Sequence, residues 1–161
     1  MGFEIERKWN PDRKDAVRMI GSTVPTDIEQ GYICTDPVIR IRKEGEKKYL
    51  TCKGKGFLKR EEINLPLSDE AYDSLAEKCE NLIIKKQRYR IPYSDGLVIE
   101  LDMFQAELEG LIILEIEFPD EEKAKLFTAP PGFGPEVTGD PDYTNACLSL
   151  RYRERCDRIS D

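Results

Sequence analysis

The sequence of 161 residues contains no histidine, and none of its five cysteines forms a C-x-x-C pair. A zinc site built from histidine and cysteine and a catalytic triad with a histidine base are therefore both disfavoured. The cysteines are odd in number and scattered, which favours free thiols in a reducing cytoplasm. We therefore expect a cytoplasmic protein whose cysteines act as small buried hydrophobic residues.

The chain also lacks a membrane segment and an excess of positive charge. Charged residues begin at Glu4, so no signal peptide is predicted, and no apolar run approaches the ~20 residues of a membrane span. The formal net charge of −7 does not indicate a nucleic acid or an anionic membrane as a partner. The length predicts a single domain over residues 1–161, and the hydrophobic fraction of 39% supports a folded core.

The sequence does contain a repeated alternation of charged and apolar residues. Glu4, Glu6 and Lys8 alternate with apolar residues, and residues two apart on a β-strand share one face. The same arrangement recurs in Arg40 and Arg42; in Arg60, Glu62 and Asn64; in Lys86, Arg88 and Arg90; in Glu100 and Asp102; and in Glu115 and Glu117, while Lys53 ends another strand-like run. This patterning predicts a large, mainly antiparallel sheet.

The charges sort by strand, and this distribution favours a barrel over an open sheet. For any single strand, the alternative is a sheet with one face in water. Here, however, some strands carry only acidic residues and others only basic ones, whereas a surface that serves solubility usually mixes both signs. We therefore predict an α+β fold: an eight-stranded antiparallel β-barrel, or tunnel, with a charged lumen and helices packed on the outside.

Turn and capping signals divide the chain into its elements. The predicted strands are 2–9, 28–35, 37–44, 46–53, 58–66, 82–92, 97–105 and 110–118. Helices are predicted near 12–20, over 69–79, shortly after residue 119, and over 143–153 at the end of the chain. Residues 94–96 are predicted as a hairpin turn. The charge run from Lys43 to Lys48 is predicted to be a solvated turn.

Several of these motifs follow one another in a distinctive order. They are E-x-E-x-K at 4–8, R-x-R at 40–42, a strand ending in Lys-Gly at 50–54, R-x-E at 60–62, K-x-R at 86–88, E-L-D-x-F at 100–104, E-x-E at 115–117 and Y-x-N-x-x-L at 143–148. This order resembles the CYTH superfamily, also called triphosphate tunnel metalloenzymes. Asn64 departs from a position that is commonly acidic, and Ala146 from one that is often basic. The resemblance implies an eight-stranded tunnel and a Mg²⁺- or Mn²⁺-dependent reaction on a triphosphate.

The charged faces supply candidate ligands for phosphate and for metal, because guanidinium forks suit phosphate and paired carboxylates suit hard cations. The candidate phosphate ligands are Lys8, Arg40, Arg42, Lys53, Arg60, Lys86, Arg88 and Arg90, with Tyr32 either as a further contact or as a packed aromatic. The candidate metal ligands are Glu4, Glu6, Glu115 and Glu117, with Asp102, Glu62 and Glu100 around them or on a second cation. The candidate catalytic residues are Glu6, Glu117 and Lys8, and one of the two glutamates is expected to orient the attacking water.

These residues and the resemblance together predict hydrolysis of a triphosphate, foremost inorganic tripolyphosphate to diphosphate and phosphate. The compact chain has no obvious base-recognition motif, which favours a substrate recognised through its phosphates. The alternatives are hydrolysis of thiamine or nucleoside triphosphates, cyclisation of ATP by a class IV type of adenylate cyclase, and non-catalytic binding of polyphosphate or nucleotide. The resemblance also raises the expectation of a homodimer.

Overall fold

The computed structural model describes residues 2–55, 59–79 and 81–150, which form eight strands. The strands are β1 (Gly2–Trp9), β2 (Thr26–Thr35), β3 (Val38–Glu44), β4 (Lys47–Lys53), β5 (Lys59–Pro66), β6 (Ile84–Pro92), β7 (Val98–Phe104) and β8 (Ile112–Glu117). They close into a barrel in the order β1-β5-β4-β3-β2-β6-β7-β8, and every neighbouring pair is antiparallel. The predicted antiparallel barrel is therefore confirmed.

Three α-helices contact the outside of the barrel: α1 (Arg13–Ile20), α2 (Asp69–Ala76) and α3 (Glu121–Leu126). Asp12, Ser68 and Asp120 cap them by accepting a hydrogen bond from a backbone N–H of the first turn. Helix α2 ends before the predicted residue 79 because its last turn tightens into bonds between residues three apart. The predicted hairpin turn at 94–96 is a 3₁₀ turn. None of the helices among the described residues is long and apolar enough to cross a bilayer.

The closing helix is described only in part. Residues 145–150 are helical, and the rest of the predicted 143–153 segment lies outside the described residues. The cysteines at 34, 52, 79 and 147 are free, as predicted, but each is only partly buried, so the expectation of full burial is wrong for these four.

The larger apolar core lies outside the barrel wall. The outward face of β1, β7 and β8 carries the apolar half of the alternating pattern, and α1, α3 and the segment 127–137 cover it. The buried members of this core are Ile5, Trp9, Ala16, Ile99, Leu101, Ile112, Leu114, Ile116, Phe118, Ala124 and Phe133. Their burial leaves the charged half of each strand facing inward, as the barrel prediction requires.

Arg7 fastens this outer layer to β1. Its Nε and Nη2 donate to the two carboxylate oxygens of Glu136 at 2.7 Å each, and its Nη1 donates to the backbone carbonyls of Ala124 and Phe127. Because residues on either side of Arg7 point into the barrel, this anchor also holds the strand that carries Glu6 and Lys8.

One end of the lumen is apolar, a detail that the prediction of a charged lumen does not include. Tyr32, Ile84, Phe104 and Ile113 form a buried cluster at one end, and Leu148 of the closing helix packs against them. Ile84, Phe104 and Ile113 stand two residues from inward-facing charged residues on their strands, so they share the inward face. The charged part of the lumen therefore begins beyond this apolar end.

Candidate active site in the barrel lumen

The antiparallel register brings the predicted site residues together from different strands. Lys8 stands opposite Glu115, and Arg88 stands opposite Asp102. The inward-facing charged residues that are buried are Glu6, Arg40, Arg42, Lys86, Arg88, Asp102 and Glu115. Glu4, Lys8, Lys53, Glu62 and Glu100 are partly buried beside them. Arg60 lies opposite Glu4 in the register, and its side chain is outside the described part of the structure.

Asp102 organises the most deeply buried charges, on β6 and β7. Its Oδ2 lies 2.6 Å from Lys86 Nζ and 2.7 Å from Arg88 Nη2, and its Oδ1 lies 2.6 Å from Arg88 Nε. Burial alone would raise the pKa of Asp102, but Arg88 and Lys86 outweigh it and lower that pKa. Both oxygens of this carboxylate are thus occupied by cations of the chain.

The two cations that share Asp102 have opposite pKa shifts. Burial lowers the pKa of Lys86 to about 7, against the attraction of Asp102 and with the repulsion of Arg88. Burial also acts to lower the pKa of Arg88, but the charge and hydrogen bonds of Asp102 outweigh it and raise that pKa well above its ordinary value. The difference follows from geometry, because Arg88 binds both oxygens of Asp102 whereas Lys86 binds one.

A second group of ion pairs lies on β1, β4, β5 and β8. Lys8 Nζ is 3.3 Å from both a Glu6 and a Glu115 oxygen. Lys53 Nζ is 2.8 Å from a Glu4 oxygen and 3.1 Å from a Glu62 oxygen. These lysines bridge carboxylates that would otherwise repel one another.

The pKa values of two of these carboxylates reflect their ion pairs with lysine. The pKa of Glu115 lies well below its ordinary value because Lys8 and Arg88 outweigh the effect of burial. Burial likewise acts to raise the pKa of Glu62, but Lys53 and a hydrogen bond from Asn64 lower it to about 2. Both groups are therefore carboxylates at neutral pH.

Arg40 contrasts with these paired groups. It is buried, and its single hydrogen bond runs from Nη2 to Thr51 Oγ1 at 3.2 Å. Its Nε–H has no hydrogen-bond partner, and no carboxylate of the described residues lies within ion-pair distance. Burial first, and then repulsion by Arg42, lowers the pKa of Arg40. A buried guanidinium in this state is a ready ligand for an anion.

A cavity of about 540 Å³ opens beside Arg40, and we call it the basic cavity. Lys8, Tyr32, Arg40 and Lys53 line it from the barrel, together with Glu6 and Glu115. Residues 144–147 of the closing segment line its other side. With Lys55 and Asp36 included, four cations and three carboxylates line this cavity, so positive charge exceeds negative charge by one.

Glu117 lies in the opposite surroundings, at the other end of the tunnel. Glu117 is an exposed residue. Its pKa is raised, first by partial burial of the carboxylate and then by the negative charges of Glu4, Glu100, Glu6 and Glu62. Within the described residues Glu117 has no ion pair, and we call these five glutamates the acidic cluster. A second cavity of about 910 Å³ reaches Glu117, Glu100 and Arg90 from this end.

The carboxylates are suitable ligands for a hard divalent cation, although they do not form a complete cage for one in advance. In the part of the chain that the structure describes, no three acidic side chains converge around one point. Mg²⁺, however, binds through one or two carboxylates and completes its shell with water and phosphate oxygens. The excess negative charge around Glu117 suits such an ion.

Arg90 lies at the rim of the acidic end and is the most exposed of the predicted cations whose side chains the structure describes. It pairs with Glu44, and its Nε is 3.1 Å from a Glu100 oxygen. Tyr49 donates its hydroxyl hydrogen to Glu44 at 2.7 Å. The prediction that the run from Lys43 to Lys48 is a solvated turn is therefore wrong for Glu44, which continues the inward face of Arg40 and Arg42 by two residues.

Other lumen residues were missed because they are uncharged. Gln30 accepts hydrogen bonds from Arg42, Thr51 accepts one from Arg40, and Asn145 accepts one from Lys86 at 3.3 Å. Gln30 and Thr51 share the two-residue period of charged neighbours on adjacent strands, so extending the alternation to neutral polar residues would have found both. Asn145 comes from outside the barrel, and only its family motif pointed to it.

The fold and its lumen define an antiparallel tunnel that can hold a small, highly charged ligand, and comparison with known proteins assigns the family. The CYTH domain model matches residues 2–129. The chain belongs to this family, as the sequence resemblance predicted, and the family implies a divalent metal cofactor.

Two curated relatives extend over nearly the whole chain. The inorganic triphosphatase of Nitrosomonas europaea is 34% identical over 154 residues, which cover 91% of this chain and 97% of the relative. The inorganic triphosphatase of Acetivibrio thermocellus is 40% identical over 153 residues, which cover 92% of this chain and 94% of the relative. A crystal structure of an inorganic triphosphatase superposes with a TM-score of 0.67 at 33% identity, covering 93% of this chain and 96% of that one.

Proposed function

We propose that the chain is a divalent-metal-dependent triphosphatase that hydrolyses inorganic tripolyphosphate to diphosphate and phosphate in the lumen. The observation that carries this proposal is Arg40, a buried cation that lacks a counterion among the described residues and keeps an unused Nε–H. Burying an unpaired charge is costly, and a multivalent anion would remove that cost. The inorganic triphosphatases at 34% and 40% identity support tripolyphosphate as this anion.

The phosphate groups are assigned to the cations that line the basic cavity. Arg40 is the first ligand, and Lys8 and Lys53 join it from the walls of the basic cavity. Tyr32 adds a hydroxyl on the same cavity. The other predicted phosphate ligands are Arg42, Arg60, Lys86, Arg88 and Arg90. Because Lys86 and Arg88 already pair with Asp102, and Arg88 also pairs with Glu100 and Glu115, we assign them a supporting electrostatic role rather than the main contact.

The cofactor is proposed to be Mg²⁺ or Mn²⁺, held at the acidic cluster together with phosphate oxygens. Glu4, Glu6 and Glu117 are its foremost ligands. Glu115, Glu62, Glu100 and Asp102 are proposed to surround it or to hold a second cation. When bound, such an ion neutralises developing charge on the phosphates and polarises the attacking water.

Glu117 is the proposed residue that orients the attacking water and accepts its proton. A general base works best when its pKa lies near the working pH, and the pKa of Glu117 is raised towards that range. Glu6 is the second candidate for this role, but Lys8 lies 3.3 Å from one of its oxygens. Lys8 then serves catalysis by holding Glu6 and Glu115 in place while contacting a phosphate.

The test is phosphate release from tripolyphosphate, ATP and thiamine triphosphate, each with Mg²⁺, with Mn²⁺ and with a chelator, while cyclic AMP is measured in parallel. We expect the fastest release from tripolyphosphate and none with the chelator. Faster release from thiamine triphosphate or ATP would support those substrates instead. Cyclic AMP would support a cyclase, and binding without turnover would support a sensor.

Glu6→Gln provides the matched test of the metal assignment. The change removes one carboxylate charge from the lumen and should abolish turnover while the barrel stays folded. Glu122→Gln makes the same change on an exposed position of α3 and serves as the control. Full activity of Glu6→Gln would refute its assignment as a metal ligand.

We propose that residues 1–161 form one tunnel domain that pairs as a homodimer. Phe3, Ile63 and Leu65 are exposed apolar residues on the outer face of β1 and β5. Their burial by a second copy would be favourable. Light scattering of the wild type and of Ile63→Glu would test this: a dimer that the variant does not weaken excludes this face.

A cytoplasmic location is proposed on the basis of the free thiols. The described cysteines at 34, 52, 79 and 147 form no disulfide. Free thiols are typical of a reducing compartment. Fractionation of cells that express the tagged protein would test this proposal.

A further inference from the structure

Gln30 occupies a position in the lumen that no catalytic assignment explains. It lies on β2 and is completely buried, yet it does not line the basic cavity. Arg42 stands opposite it on β3, and Tyr32 follows two residues later on the same inward face. A residue in this place can act on a ligand only through its neighbours.

The hydrogen bonds of Gln30 fix the orientation of its amide. Arg42 donates to Gln30 Oε1 from Nη2 at 2.8 Å and from Nε at 3.0 Å. A guanidinium only donates, so the amide oxygen must face Arg42. The amide nitrogen therefore faces the other way, and it lies 3.2 Å from the hydroxyl oxygen of Tyr32.

This orientation determines where the proton of Tyr32 points. The amide NH₂ only donates, so the Tyr32 oxygen must accept from it. The phenolic O–H is then turned away from Gln30. Among the described residues no acceptor lies within hydrogen-bonding distance of this proton, whereas the ring of Tyr32 lines the basic cavity.

The free proton of Tyr32 lies beside the unused donor of Arg40. Tyr32 and Arg40 are direct partners in the β2–β3 register and both line the basic cavity. Directly opposed residues on antiparallel strands have neighbouring side chains. The Nε–H of Arg40 has no partner. Two residues that line one cavity from adjacent strands thus each keep a donor without an acceptor among the described residues.

We propose that Gln30 is a positioning residue that turns the Tyr32 hydroxyl proton into the basic cavity, where it and the Arg40 Nε–H bind the same phosphate group. This inference rests on the proposed function for the identity of the anion. It adds a residue that touches neither substrate nor metal but determines the direction of a substrate contact.

The test is a double-mutant cycle between Gln30→Met and Tyr32→Phe, read out by phosphate release from tripolyphosphate at saturating Mg²⁺. Methionine retains the size of glutamine and removes its amide. If Gln30 acts through Tyr32, Gln30→Met lowers release about three- to tenfold in the wild-type background, the effect of one hydrogen bond. In the Tyr32→Phe background it should change release less than about twofold.

An equal fall in both backgrounds would overturn the proposal, because Gln30 would then act through Arg42 or through the fold alone. Gln30→Glu separates the two routes if Gln30→Met does not fold. Its carboxylate still accepts from Arg42 but cannot donate to Tyr32, so the phenol turns to donate to it. Activity of Gln30→Glu equal to that of the wild type would also overturn the proposal.

A spectroscopic measurement distinguishes failure of this inference from failure of the proposed function. The tyrosine doublet in ultraviolet Raman spectra reports whether a phenol accepts or donates a hydrogen bond, and the difference between wild type and Tyr32→Phe isolates Tyr32. We expect an accepting phenol in the wild type, its loss in Gln30→Met and a donating phenol in Gln30→Glu. A donating phenol in the ligand-free wild type would overturn the inference. Absence of turnover and of tripolyphosphate binding would refute the proposed function whatever the Raman result.

Discussion

Buried cations on two sides of the lumen differ in whether the chain supplies their counterions. On β6 and β7, Asp102 contacts both Lys86 and Arg88 at 2.6 Å, and Arg88 also pairs with Glu100 and Glu115, so the fold supplies counterions for these cations. On β3 and β4, Arg40 has one hydrogen bond to Thr51 and no carboxylate partner among the described residues. A fold can bury a charge stably when it supplies the counterion. Where it does not, a ligand can supply the missing partner, so Arg40 marks the proposed site.

Removal of the Asp102 carboxylate should have the largest effect on the free energy of unfolding. Asp102→Asn leaves Lys86 and Arg88 buried without their carboxylate. We expect it to lower the free energy of unfolding by about 3–5 kcal/mol, the usual cost of breaking a buried ion pair. Urea unfolding of the metal-free protein measures this change. A loss below about 1 kcal/mol would show that the burial of Lys86 and Arg88 does not depend on Asp102.

Saturation of the site beside Arg40 with ligand should stabilise the protein by a comparable amount. A ligand that binds only the folded state adds about 2.7 kcal/mol at a concentration one hundred times its Kd. We therefore expect tripolyphosphate with Mg²⁺ to raise the melting temperature well above that of the ligand-free protein. An unchanged melting temperature at saturation would argue against a site in the lumen.

Arg40→Met should separate binding from stability. We expect tripolyphosphate affinity to fall roughly 10- to 100-fold, which corresponds to a charge-assisted phosphate contact of about 1.5–3 kcal/mol. The free energy of unfolding of the ligand-free protein should not fall, because the substitution removes a buried donor without a partner. This response is opposite in sign to that of Asp102→Asn.

Lys59→Met is the matched control for Arg40→Met. Lys59 lies on the outside of β5, where it pairs with Glu121 on an exposed surface. The substitution removes the same unit of charge from the chain but should leave tripolyphosphate affinity nearly unchanged. An equal loss of affinity in both variants would mean that overall charge, rather than Arg40, determines binding.

The pH dependence of stability gives the most selective test. The pKa of Lys86 is lowered to about 7 by burial, whereas an unfolded lysine keeps its proton until about pH 10. Between these values the unfolded state binds more protons, so stability contributed by this site rises with pH. We expect the stability of the metal-free wild type, relative to Lys86→Met, to increase from pH 7 to pH 10. A constant difference would show that Lys86 keeps its proton.

Much of the lumen could be predicted from the sequence, because strand periodicity places the charges on one face of each strand. The alternation around Glu4, Arg40 and Arg88 was sufficient to predict the barrel and its inward-facing residues. Periodicity does not reveal which charges neutralise one another, since pairing depends on register between strands that are distant in sequence. Asp102 was therefore predicted as a ligand of metal, whereas the structure shows it between two cations.

The neutral part of the lumen was harder to predict for a different reason. Gln30 and Thr51 carry no charge, and their importance comes only from the arginines they contact. The apolar end at Ile84 and Phe104 reads in the sequence as ordinary strand core, because alternation alone does not distinguish an apolar side chain inside a barrel from one outside it.

The most direct measurement is a crystal structure of the protein with Mg²⁺ and a non-hydrolysable tripolyphosphate analogue. We predict that the analogue lies in the lumen, with a phosphate oxygen within hydrogen-bonding distance of Arg40 Nε, and that the Asp102 ion pairs are unchanged. An analogue bound outside the barrel, with Arg40 Nε still lacking a partner, would contradict it.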